Sequence, residues 1–518
     1  MLVNVSGSTP APFDDQDNLE QAIAAIKAEG AQYVKAPVIG LRPGFSQLDT
    51  NNPYPVIVAV VQPGATVTGL PVQINGVPVE IRKASVQDLV EGVEPIRFWE
   101  DVQTEAAPHI NYTPPDPSPL DSKKIPVKNI TCHVGPDRGW KMLKPFLEGT
   151  EKSLTVAMYE FYAEHILETV KKLGEETEAT LDLILQVDKN DADCEEQLRG
   201  SWGDRLKFVK ASVKGPQRLF NNSYHTKVAV RDSKDMWLSS GNWSPNSQPI
   251  IAPGSDQVIY RNGNREWHVI IKDKKLAALY EEMIKFDMDA ASNIPEPEAA
   301  QLLPDLLVPE SFFQPEAVLI QPHPFEPKDF AANGESIDVV PLMSPDNYAD
   351  GILDLISKAK TSVFLQFSYI NKPAEKFDEI ITAVGEKMQA GLDVRVIVGT
   401  SQKPVNSDFL IAKRKWKRKM FKIQKSKLHN KGVIIDGKIA VVGSNNWSSD
   451  GTQYNRDSSL IFYSRDIAKY YTEVFEFDWF NQTRPINTEP AITPELAPAT
   501  GPTPPGMVRI PWQTWFTE

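Results

Sequence analysis

The distribution of apolar residues repeats along the chain and predicts the same elements twice. In each of two regions, runs typical of β-strands are separated by segments with apolar residues at helical spacing. In residues 126–292 the strand-like runs lie at 130–134, 153–159 and 181–185, and the helix-like segments at 142–148 and 163–172. In residues 335–485 the corresponding runs lie at 337–340, 361–367 and 392–398, and the segments at 352–359 and 377–388. The pattern predicts an α/β fold of two pseudo-twofold-related lobes, lobe 1 (126–292) and lobe 2 (335–485), each a mixed, mostly parallel sheet with flanking helices on both faces.

A separate small domain is predicted ahead of the lobes, in residues 1–104. A helical pattern runs from Leu19 to Glu29, and two β-rich runs follow at 56–61 and 77–81. Gly and Pro residues separate these runs, as expected for short strands joined by turns. The segment therefore reads as an accessory α+β domain, and it contains no cluster of residues that indicates chemistry.

The segments that join and follow the lobes are rich in proline. Residues 105–125 predict a linker, whereas residues 293–334 form a Pro/Glu-rich connection with apolar pieces that we expect to pack along the lobes. Residues 486–518 form a Pro-rich tail, which is either disordered or held in place by Trp512, Trp515 and Phe516.

The composition is that of a folded globular protein without a membrane-spanning helix. Apolar residues make up 41% of the chain and charged residues 24%, as in a folded globular protein. No run approaches eighteen apolar residues and the N-terminus does not resemble a secretory signal, so we expect a cytoplasmic protein, with peripheral attachment to a membrane left open. The two cysteines, Cys132 and Cys194, predict neither a disulfide framework nor a metal site.

Net charge argues against a chain coated with nucleic-acid-binding residues, with one local exception. The formal charge is −13 and the sequence pI is about 5.2. However, residues 413–427 carry nine Lys or Arg side chains and no acid, and only Leu428 separates them from His429. This basic run is a candidate binding surface for an anionic partner.

The most informative pattern is H-x-K-x4-D-x6-G-S-x-N, which occurs once in each lobe, with Ser239 in the place of the glycine in the first copy. The residues of the first copy are His225, Lys227, Asp232, Ser240 and Asn242, and those of the second copy are His429, Lys431, Asp436, Ser444 and Asn446. In a strand, residues i and i+2 point to the same face, so each His and Lys project together, and a hairpin returns the Ser and Asn beside them. Two facing motifs offer imidazoles, ammonium groups, hydroxyls and amides in pairs, a set that suits a tetrahedral phosphate.

Acids that could hold the histidines occur in a second shared pattern. Asn264-Arg265-Glu266 in lobe 1 corresponds to Asn455-Arg456-Asp457 in lobe 2. A carboxylate on the second ring nitrogen fixes the tautomer of a catalytic imidazole, so Glu266 and Asp457 are the candidates for this role. The motif residues Asp232 and Asp436 follow their strands, and we expect them to anchor turns. The remaining histidines are predicted to be structural or at the surface; they are His109, His133, His165, His268 and His323.

These paired motifs resemble those of the phospholipase D superfamily, over residues 126–485. The resemblance implies a bilobed phospholipase D-like fold and phosphodiester chemistry that needs no metal and no cofactor. It implies a covalent phosphohistidine on His225 and a general acid at His429. Lobe 1 departs from the usual pattern, because it reads Ser239-Ser240-Gly241-Asn242 where G-S/G-x-N is common. A tryptophan follows each motif asparagine, as in nuclease-type branches of the superfamily as well as in lipases.

Three functions remain open on the sequence: a phospholipase D or headgroup transferase, a metal-independent nuclease, and a non-catalytic phosphate-binding protein. Two motifs on one long chain resemble the lipases, and lipid is therefore placed ahead of nucleic acid. Either substrate would use the basic run, which would touch an anionic membrane surface or a phosphate backbone, unless the run is only a solvated helix face. The substrate-binding residues expected there are Lys413, Arg414, Lys415, Trp416, Arg418 and Lys419, with Trp416 and Phe421 free to stack on bases. The sequence indicates no protein partner and is silent on oligomeric state.

Overall fold

The structure is a computed structural model that describes residues 17–47, 54–85, 88–89, 92–94, 99, 107–120, 123–187, 191, 193–251, 263–294, 305–309, 324–332, 334–486, 495–497, 503–504 and 507–511. Within these ranges the two lobes contain equivalent elements in the same order. The strands of lobe 1 are β6 (Ile130–Gly135), β7 (Ser153–Met158), β8 (Thr180–Leu185), β9 (Leu206–Lys210), β10 (Val228–Arg231), β11 (Asp235–Ser239) and β12 (Glu266–Ile271). Those of lobe 2 are β15 (Ile337–Ser344), β16 (Ser362–Phe367), β17 (Asp393–Val398), β18 (Phe421–Gln424), β19 (Lys431–Ile435), β20 (Ile439–Gly443), β21 (Asp457–Tyr463) and β22 (Thr483–Pro485).

The helices follow the same repeat. Those of lobe 1 are α2 (Gly139–Glu148), α3 (Glu164–Glu176), α4 (Cys194–Trp202) and α5 (Lys274–Ala291). Those of lobe 2 are α6 (Tyr348–Lys358), α7 (Glu375–Gln389), α8 (Pro404–Arg414), α9 (Ser449–Gln453) and α10 (Arg465–Phe477). Short 3-10 segments lie at Gly30–Tyr33, Gly203–Arg205 and Arg418–Met420, and a π-helical turn at Asp478–Gln482. The helices predicted at the start of each lobe are therefore present with bounds shifted by a few residues.

The sheets are mixed, but the expectation that they are mostly parallel is wrong. The eight-stranded sheet of lobe 1 includes β14 (Lys328–Phe330) and has the order β14-β6-β12-β11-β10-β7-β8-β9, in which only β7, β8 and β9 run parallel to one another. The sheet of lobe 2 has the same plan, with β16, β17 and β18 parallel. The motif strands are the reason, because β10–β11 and β19–β20 are hairpins closed by tight turns, and such turns join antiparallel strands.

The two lobes exchange edge strands. β5 (Ile125–Val127) lies at the start of lobe 1, two residues before β6, but pairs with β15 of lobe 2, and β14 precedes lobe 2 but pairs with β6 of lobe 1. Helices α5 and α10 contribute to one apolar cluster that contains strand residues of both lobes. Asp273 and Ser464 start these two helices, since each side chain accepts hydrogen bonds from backbone N–H groups in the first turn. The lobes therefore share one central core, with α2–α4 and α6–α8 packed in separate outer clusters.

The N-terminal domain packs against lobe 2. Its elements are α1 (Asp17–Glu29), β1 (Val38–Phe45), β2 (Pro55–Val61), β3 (Gln73–Ile74) and β4 (Val77–Lys83), and the strands form a sheet in the order β1-β2-β4-β3. The buried side chains of Leu19, Ile23 and Phe45 belong to the same apolar cluster as Phe409 of α8. The domain thus shares a core with lobe 2.

The predicted linkers are also built into the fold where they are described. In the 105–125 segment, Tyr112 is buried against Phe220, and its hydroxyl donates to Asp346 of lobe 2 at 3.0 Å. From the inter-lobe connection, β13 (Asp305–Pro309) lies between β23 (Glu495–Ala497) and β24 (Met507–Pro511) of the C-terminal tail. His323, Trp512, Trp515 and Phe516 lie outside the described residues.

No helix in the described ranges reaches the length and apolar character required to cross a bilayer.

Candidate active site

The two motif histidines meet at the seam between the lobes. His225 lies three residues before the hairpin strand β10, and His429 lies two residues before β19; their ring centroids are 6.1 Å apart with the planes at 72°. Short parallel bridges cross the seam at both places: Tyr224 pairs with Arg456, and Arg265 pairs with Leu428. Each histidine is thereby fixed by backbone of the opposite lobe, through His225 N–H to Arg456 O at 2.7 Å and His429 N–H to Arg265 O at 3.2 Å.

The predicted acids hold the histidines in a crossed arrangement. Nδ1 of His225, in lobe 1, lies 2.7 Å from Oδ1 of Asp457, in lobe 2. Nδ1 of His429, in lobe 2, lies 2.9 Å from Oε1 of Glu266, in lobe 1. Both Nε2 atoms are buried and have no hydrogen-bond partner among the residues that the structure describes. Because the carboxylates take the Nδ1 side of each ring, Nε2 is the reactive nitrogen in both cases.

Burial and charge set the protonation of this cluster. The pKa of His225 falls well below its usual value because of burial and the neighbouring Lys227 and Lys431, and the pKa of His429 falls to about 4 through burial and Lys431. Burial raises the pKa of Asp457 to about 7, against the opposing effect of Lys227 and the Ser444 hydroxyl. An empty site at neutral pH therefore contains two neutral imidazoles.

Glu266 behaves in the opposite way to Asp457. Burial would raise its pKa, but the charge and hydrogen bond of His429 and the charge of Lys431 outweigh burial, and the pKa falls to about 2. Its two oxygens also accept hydrogen bonds from Ser240 Oγ at 2.5 Å and Ser247 Oγ at 2.9 Å. Glu266 is consequently an ionised carboxylate throughout the physiological pH range.

The motif lysines lie beside the histidines, as the alternation of strand side chains requires. Nζ of Lys227 donates to the carbonyl oxygen of His225 at 2.7 Å, and Nζ of Lys431 donates to that of His429 at 2.6 Å. The Lys227 ammonium also lies 4.9 Å from the centroid of the Tyr159 ring, whose edge faces His225. The lysines bring two buried positive charges to the point where the histidines meet.

The motif serines and asparagines return beside this face on the second hairpin strand. Ser444 Oγ donates to Asp457 at 2.8 Å, as Ser240 Oγ does to Glu266. Both hydroxyls therefore hydrogen-bond to the acids that hold the histidines. Asn242 Nδ2 donates to Glu160 at 2.9 Å, and the side-chain oxygens of Asn242 and Asn446 have no hydrogen-bond partner among the described residues. The departure in lobe 1 leaves Ser240 in the position of Ser444, and the extra hydroxyl of Ser239 contacts His268 Nδ1 at 2.6 Å.

Asp232 and Asp436 lie at the far ends of the motif strands, where they anchor turns. Each adopts a left-handed backbone conformation, with φ of 54°. Asp232 accepts hydrogen bonds from the backbone N–H groups of residues 151–153, and Asp436 accepts them from residues 360–362. Each carboxylate thus ties the motif hairpin to the start of the neighbouring antiparallel strand, β7 in lobe 1 and β16 in lobe 2.

Two buried arginines hold the seam behind the histidines. Arg265 of lobe 1 contacts Asp478 of lobe 2 at 2.9 Å, and Arg456 of lobe 2 contacts both oxygens of Asp287 of lobe 1 at 2.8 Å. A second partner comes from the turn of the arginine's own lobe: Asp137 for Arg265 at 2.7 Å and Asp346 for Arg456 at 2.5 Å. The arginines between the predicted Asn and acid positions are therefore structural, and they fix the acid that follows each of them.

The structure contradicts the stacking role expected for Trp416 and Phe421 of the basic run. Trp416 is 2% exposed; its indole N–H donates to Ile381 O at 3.0 Å, and its ring packs on the buried Phe421. Neither ring can stack on a base or enter a membrane, because both fill the core of lobe 2. Sequence periodicity missed this, since the run leaves helix α8 at Arg414 and continues through a 3-10 turn into strand β18.

Several cations of the basic run contact other parts of the protein. Lys413 pairs with Glu20 of the N-terminal domain, and Arg414 pairs with Asp378 at 2.7 Å. Arg418 lies over the Phe45 ring, with the guanidinium 3.9 Å from its centroid. Lys415 and Lys419 are exposed. The run therefore builds much of the contact with the N-terminal domain.

The histidines outside the motifs are placed as expected where they are described. His109 is exposed, and His165 contacts Gln248 O at 2.9 Å. His133 and His268 are buried and stacked, with centroids 4.8 Å apart. Burial lowers the pKa of His268 to about 4. Cys132 and Cys194 are unpaired and buried, and in the described ranges no group of three His, Cys, Asp or Glu side chains is arranged to hold a metal ion.

Sequence reasoning missed several residues that contact the site: Tyr159, Glu160, Ser247 and the partners of the buried arginines. One signal was present, because a Pro-Asp pair begins both lobes, at Pro136-Asp137 and Pro345-Asp346. A carboxylate repeated at equivalent positions could have been matched to the repeated arginine. Tyr159, Glu160 and Ser247 have no such counterpart, since the equivalent residues in lobe 2 are Ser368, Tyr369 and Gly451.

Comparison with known proteins gives the following similarities. A family model described as cardiolipin synthase, PLD-like domain matches residues 143–288 and 352–479, just over half of the chain. The mitochondrial cardiolipin hydrolase of Xenopus tropicalis is 40% identical over 52 residues, which are 10% of this chain and 25% of that protein. Cardiolipin synthase 2 of Bacillus anthracis is 25% identical over 194 residues, which are 35% of this chain and 36% of that protein. The chain thus spans about a quarter to about a third of the length of these curated relatives.

Solved structures with similar folds include two from bacteria. Phosphatidylserine synthase of Haemophilus influenzae Rd KW20 has a TM-score of 0.46 and 12% identity, covering 71% of this chain and 90% of that one. The phospholipase D family member Nuc of Salmonella typhimurium has a TM-score of 0.24 and 19% identity, covering 29% of this chain and 97% of that one. The family match contains both copies of the H-x-K motif, one in each matched segment. The chain therefore belongs to the phospholipase D superfamily, in the family described as cardiolipin synthase, PLD-like domain.

Proposed function

We propose that this protein is a phosphodiester hydrolase or transferase that acts on a phospholipid headgroup through a covalent phosphohistidine. The observation that carries the proposal is the crossed pair of histidines. Each Nδ1 is held by a carboxylate of the opposite lobe, and each buried Nε2 is left for a substrate beside two lysines. This arrangement supplies a nucleophile, a proton donor and positive charge at one point, which is the set that displacement at phosphorus requires.

In the first step, His225 attacks and His429 protonates the leaving group. The Nε2 lone pair of His225 forms a bond to phosphorus while the bond to the headgroup oxygen breaks, and the proton on Nε2 of His429 goes to that oxygen. The negative charge of a bound phosphodiester raises the pKa of both histidines, and the ionised Glu266 favours the proton on His429. Lys227 and Lys431 stabilise the non-bridging oxygens as charge develops.

In the second step, the phosphohistidine is released. Neutral His429 accepts a proton from water or an alcohol, whose oxygen bonds to phosphorus as the bond to His225 Nε2 breaks. Water gives hydrolysis, whereas a lipid alcohol gives transfer. Asp457 holds Nδ1–H of His225 through both steps, so that Nε2 keeps its lone pair for attack and recovers it on release.

A lipid substrate is favoured over a nucleic acid for two reasons. The names of the relatives in the family match and among the curated proteins are those of lipid enzymes. In addition, the tryptophans that suggested a nuclease are not available to bind bases. Trp243 and Trp447, which follow the motif asparagines, are fully buried, and so is Trp416 of the basic run. The described aromatic residues of the basic run therefore provide no stacking platform for bases.

The test is to incubate the purified protein, in EDTA, with mixed phospholipid vesicles and separately with single- and double-stranded DNA and RNA. The expected result is headgroup release or exchange that is lost in His225→Asn. Strand cleavage lost in the same variant would make the protein a nuclease instead. No turnover of any substrate, by a wild-type protein whose fold is verified by circular dichroism, would support the non-catalytic alternative.

A further inference from the structure

The motif turn at the end of the second hairpin strand has different residues in the two lobes, at 239–242 in lobe 1 and 443–446 in lobe 2. In lobe 2, Ser459 donates a hydrogen bond to Asn445 Oδ1 at 2.7 Å, and Ser459 lies two residues after the acid of that lobe. Gly443 makes room for this contact, because a Cβ at that position would overlap Ser459 Oγ. The turn of lobe 2 is therefore tied to the strand that carries its acid.

Lobe 1 makes the same tie with different residues. Gly241 stands in the place of Asn445 and has no side chain. His268 stands in the place of Ser459, again two residues after the acid. Ser239, where lobe 2 has a glycine, supplies the connection: its Oγ accepts from Gly241 N–H at 2.7 Å and lies 2.6 Å from His268 Nδ1. Three positions thus differ together, and the turn of lobe 1 remains tied to the strand of its acid.

The hydroxyl of Ser239 sets the tautomer of His268. Since Ser239 Oγ accepts from Gly241 N–H, its own hydrogen goes to His268 Nδ1, and the ring hydrogen of His268 lies on Nε2. Burial lowers the pKa of His268 to about 4, so the ring is neutral at neutral pH. The ring is stacked on His133 with centroids 4.8 Å apart, and a Cβ at Gly135 would lie 3.1 Å from Nε2. His268 is therefore a neutral acceptor in a fixed orientation.

The turn that Ser239 holds lies against the acid of lobe 1. A Cβ at Gly241 would lie 2.8 Å from Oε1 of Glu266, so the backbone of this glycine packs on the carboxylate. Ser240 Oγ donates to Oε2 of the same carboxylate at 2.5 Å. Oε1 of Glu266 is the atom that contacts Nδ1 of His429 at 2.9 Å. A displacement of the turn would therefore displace the acid that orients His429.

We propose that Ser239 and His268 are positioning residues, which hold the motif turn of lobe 1 against Glu266 and so fix the acid that orients His429. The inference rests on the proposed function, in which His429 is the general acid. Without the tie, the turn relaxes and the Glu266 carboxylate moves away from Nδ1 of His429. His429 then holds its proton less firmly, and the alkaline limb of kcat/KM moves to lower pH.

The first experiment tests the hydrogen bond without any substrate. Nitrogen-15 NMR of protein labelled at histidine distinguishes the two neutral tautomers, and the His268 signal is identified by its absence from the spectrum of His268→Asn. We expect the tautomer with hydrogen on Nε2 and a hydrogen-bonded Nδ1, and a change in the Nδ1 shift in Ser239→Ala. Hydrogen on Nδ1 of His268 in the wild-type protein would overturn the proposed tie.

The second experiment measures the pH profile of kcat/KM for headgroup release from the mixed phospholipid vesicles used above. Ser239→Ala and His268→Leu should each lower kcat/KM at neutral pH by about 10-fold and move the alkaline limb to lower pH. His268→Asn keeps an acceptor, because the asparagine Oδ1 replaces Nδ1, and it should restore the wild-type limb and most of the activity. Rescue by asparagine but not by leucine separates positioning from packing.

Thr150→Val is the matched control for lost stability. It removes a buried hydroxyl that donates to Leu147 O at 2.8 Å, at the end of lobe 1 far from the histidines, and it should leave the alkaline limb in place. A loss of activity in Ser239→Ala without a shift of the limb would overturn the positioning role and leave the proposed function intact. A wild-type protein that releases no headgroup would overturn the proposed function, and the positioning role with it.

Discussion

The two lobes share the order of their main strands and helices and one motif each, but they give different surroundings to the two histidines. Glu266, which holds His429, accepts hydrogen bonds from the hydroxyls of Ser240 and Ser247 as well. Asp457, which holds His225, accepts one from Ser444, and its Oδ2 atom has no hydrogen-bond partner among the described residues. The shared elements thus bring the two histidines together, while the differences give each ring a different acid environment.

The difference between the acids supports the roles proposed for the two histidines. His429 and the charge of Lys431 hold Glu266 ionised, with its pKa at about 2, whereas burial raises the pKa of Asp457 to about 7. An ionised partner stabilises an imidazolium, so His429 is the better proton donor. His225 is the harder of the two to protonate, since burial and two lysines lower its pKa, and a free lone pair is what a nucleophile requires.

The sharpest test of this assignment replaces each histidine by asparagine. His225→Asn and His429→Asn should each lower kcat by about 10⁴-fold or more, because the two residues act as a unit. A substrate with an activated aryl leaving group needs no general acid. With such a substrate, His429→Asn should therefore accumulate a phosphohistidine that intact-protein mass spectrometry detects, and His225→Asn should not.

Two results would contradict the comparison between the histidines. Accumulation in His225→Asn would exchange the roles of the two lobes. Activity of the wild-type protein that is lost in EDTA and restored by Mg²⁺ would overturn the proposal that two histidines and two lysines are sufficient.

The seam between the lobes should lose most stability when a buried arginine is removed. Arg456→Met leaves the carboxylates of Asp287 and Asp346 without their principal cation, and removing one partner of a buried pair costs about 3–5 kcal/mol. Urea unfolding followed by tryptophan fluorescence measures the change. Arg199→Met is the matched control, since Arg199 is half-exposed in an i,i+4 pair with Glu195 and should contribute less than about 0.5 kcal/mol. A similar loss in both variants would show that the lobes do not depend on the seam.

The repeat and the reactive groups were accessible from the sequence, because both depend on local spacing. Strand alternation placed each Lys beside its His, and the repeated Asn-Arg-acid pattern identified Glu266 and Asp457. The crossing of the acids was not accessible, because it depends on how the lobes meet. The short bridges of Tyr224 to Arg456 and of Arg265 to Leu428 join residues more than 150 positions apart. The exchange of the edge strands β5 and β14 could not be predicted for the same reason.

The basic run shows the limit of composition as a guide. Nine cations without an acid indicate an anionic ligand when only neighbours in sequence are considered. The acids that compensate them come from elsewhere in the chain, such as Glu20 and Asp378. Trp416 likewise resembled an exposed aromatic of a binding surface, although its indole fills the core between α7 and β18.

Exchanging each acid for its amide should change a different limb of the pH profile of kcat/KM. Glu266→Gln removes a negative charge that raises the pKa of His429. The alkaline limb of kcat/KM, where the general acid loses its proton, should therefore move to lower pH, with a loss of about 10²-fold at neutral pH. If activity falls but the alkaline limb of kcat/KM stays at the same pH, Glu266 has only a structural role.

The acid limb should depend on Asp457 instead. Its pKa of about 7 means that the carboxylate gains a proton as pH falls through neutrality, and a protonated partner no longer accepts the Nδ1 proton of His225. The neutral ring then carries its proton on Nε2, and the lone pair that attacks phosphorus is lost. kcat/KM should therefore fall below about pH 7. Asp457→Asn should abolish this limb, and a limb that persists in the variant would assign the titration to another group. Measuring both profiles at constant ionic strength separates the two acids.

The smallest effect is expected on the outer helices, where the lobes also differ. Helix α4 of lobe 1 begins with Glu195 and Glu196, whereas helix α8 of lobe 2 leads into the basic run and lies under the N-terminal domain. Lys415 and Lys419 are exposed, and the double variant Lys415→Gln/Lys419→Gln should change kcat/KM on micellar lipid by less than about 2-fold, since isolated surface charges contribute little. Binding to anionic vesicles, measured by sedimentation at low and high salt, decides whether the run has a membrane role. A salt-dependent loss of binding in the variant would restore the run as a membrane contact, outside the catalytic site, whereas unchanged binding leaves it as part of the contact with the N-terminal domain.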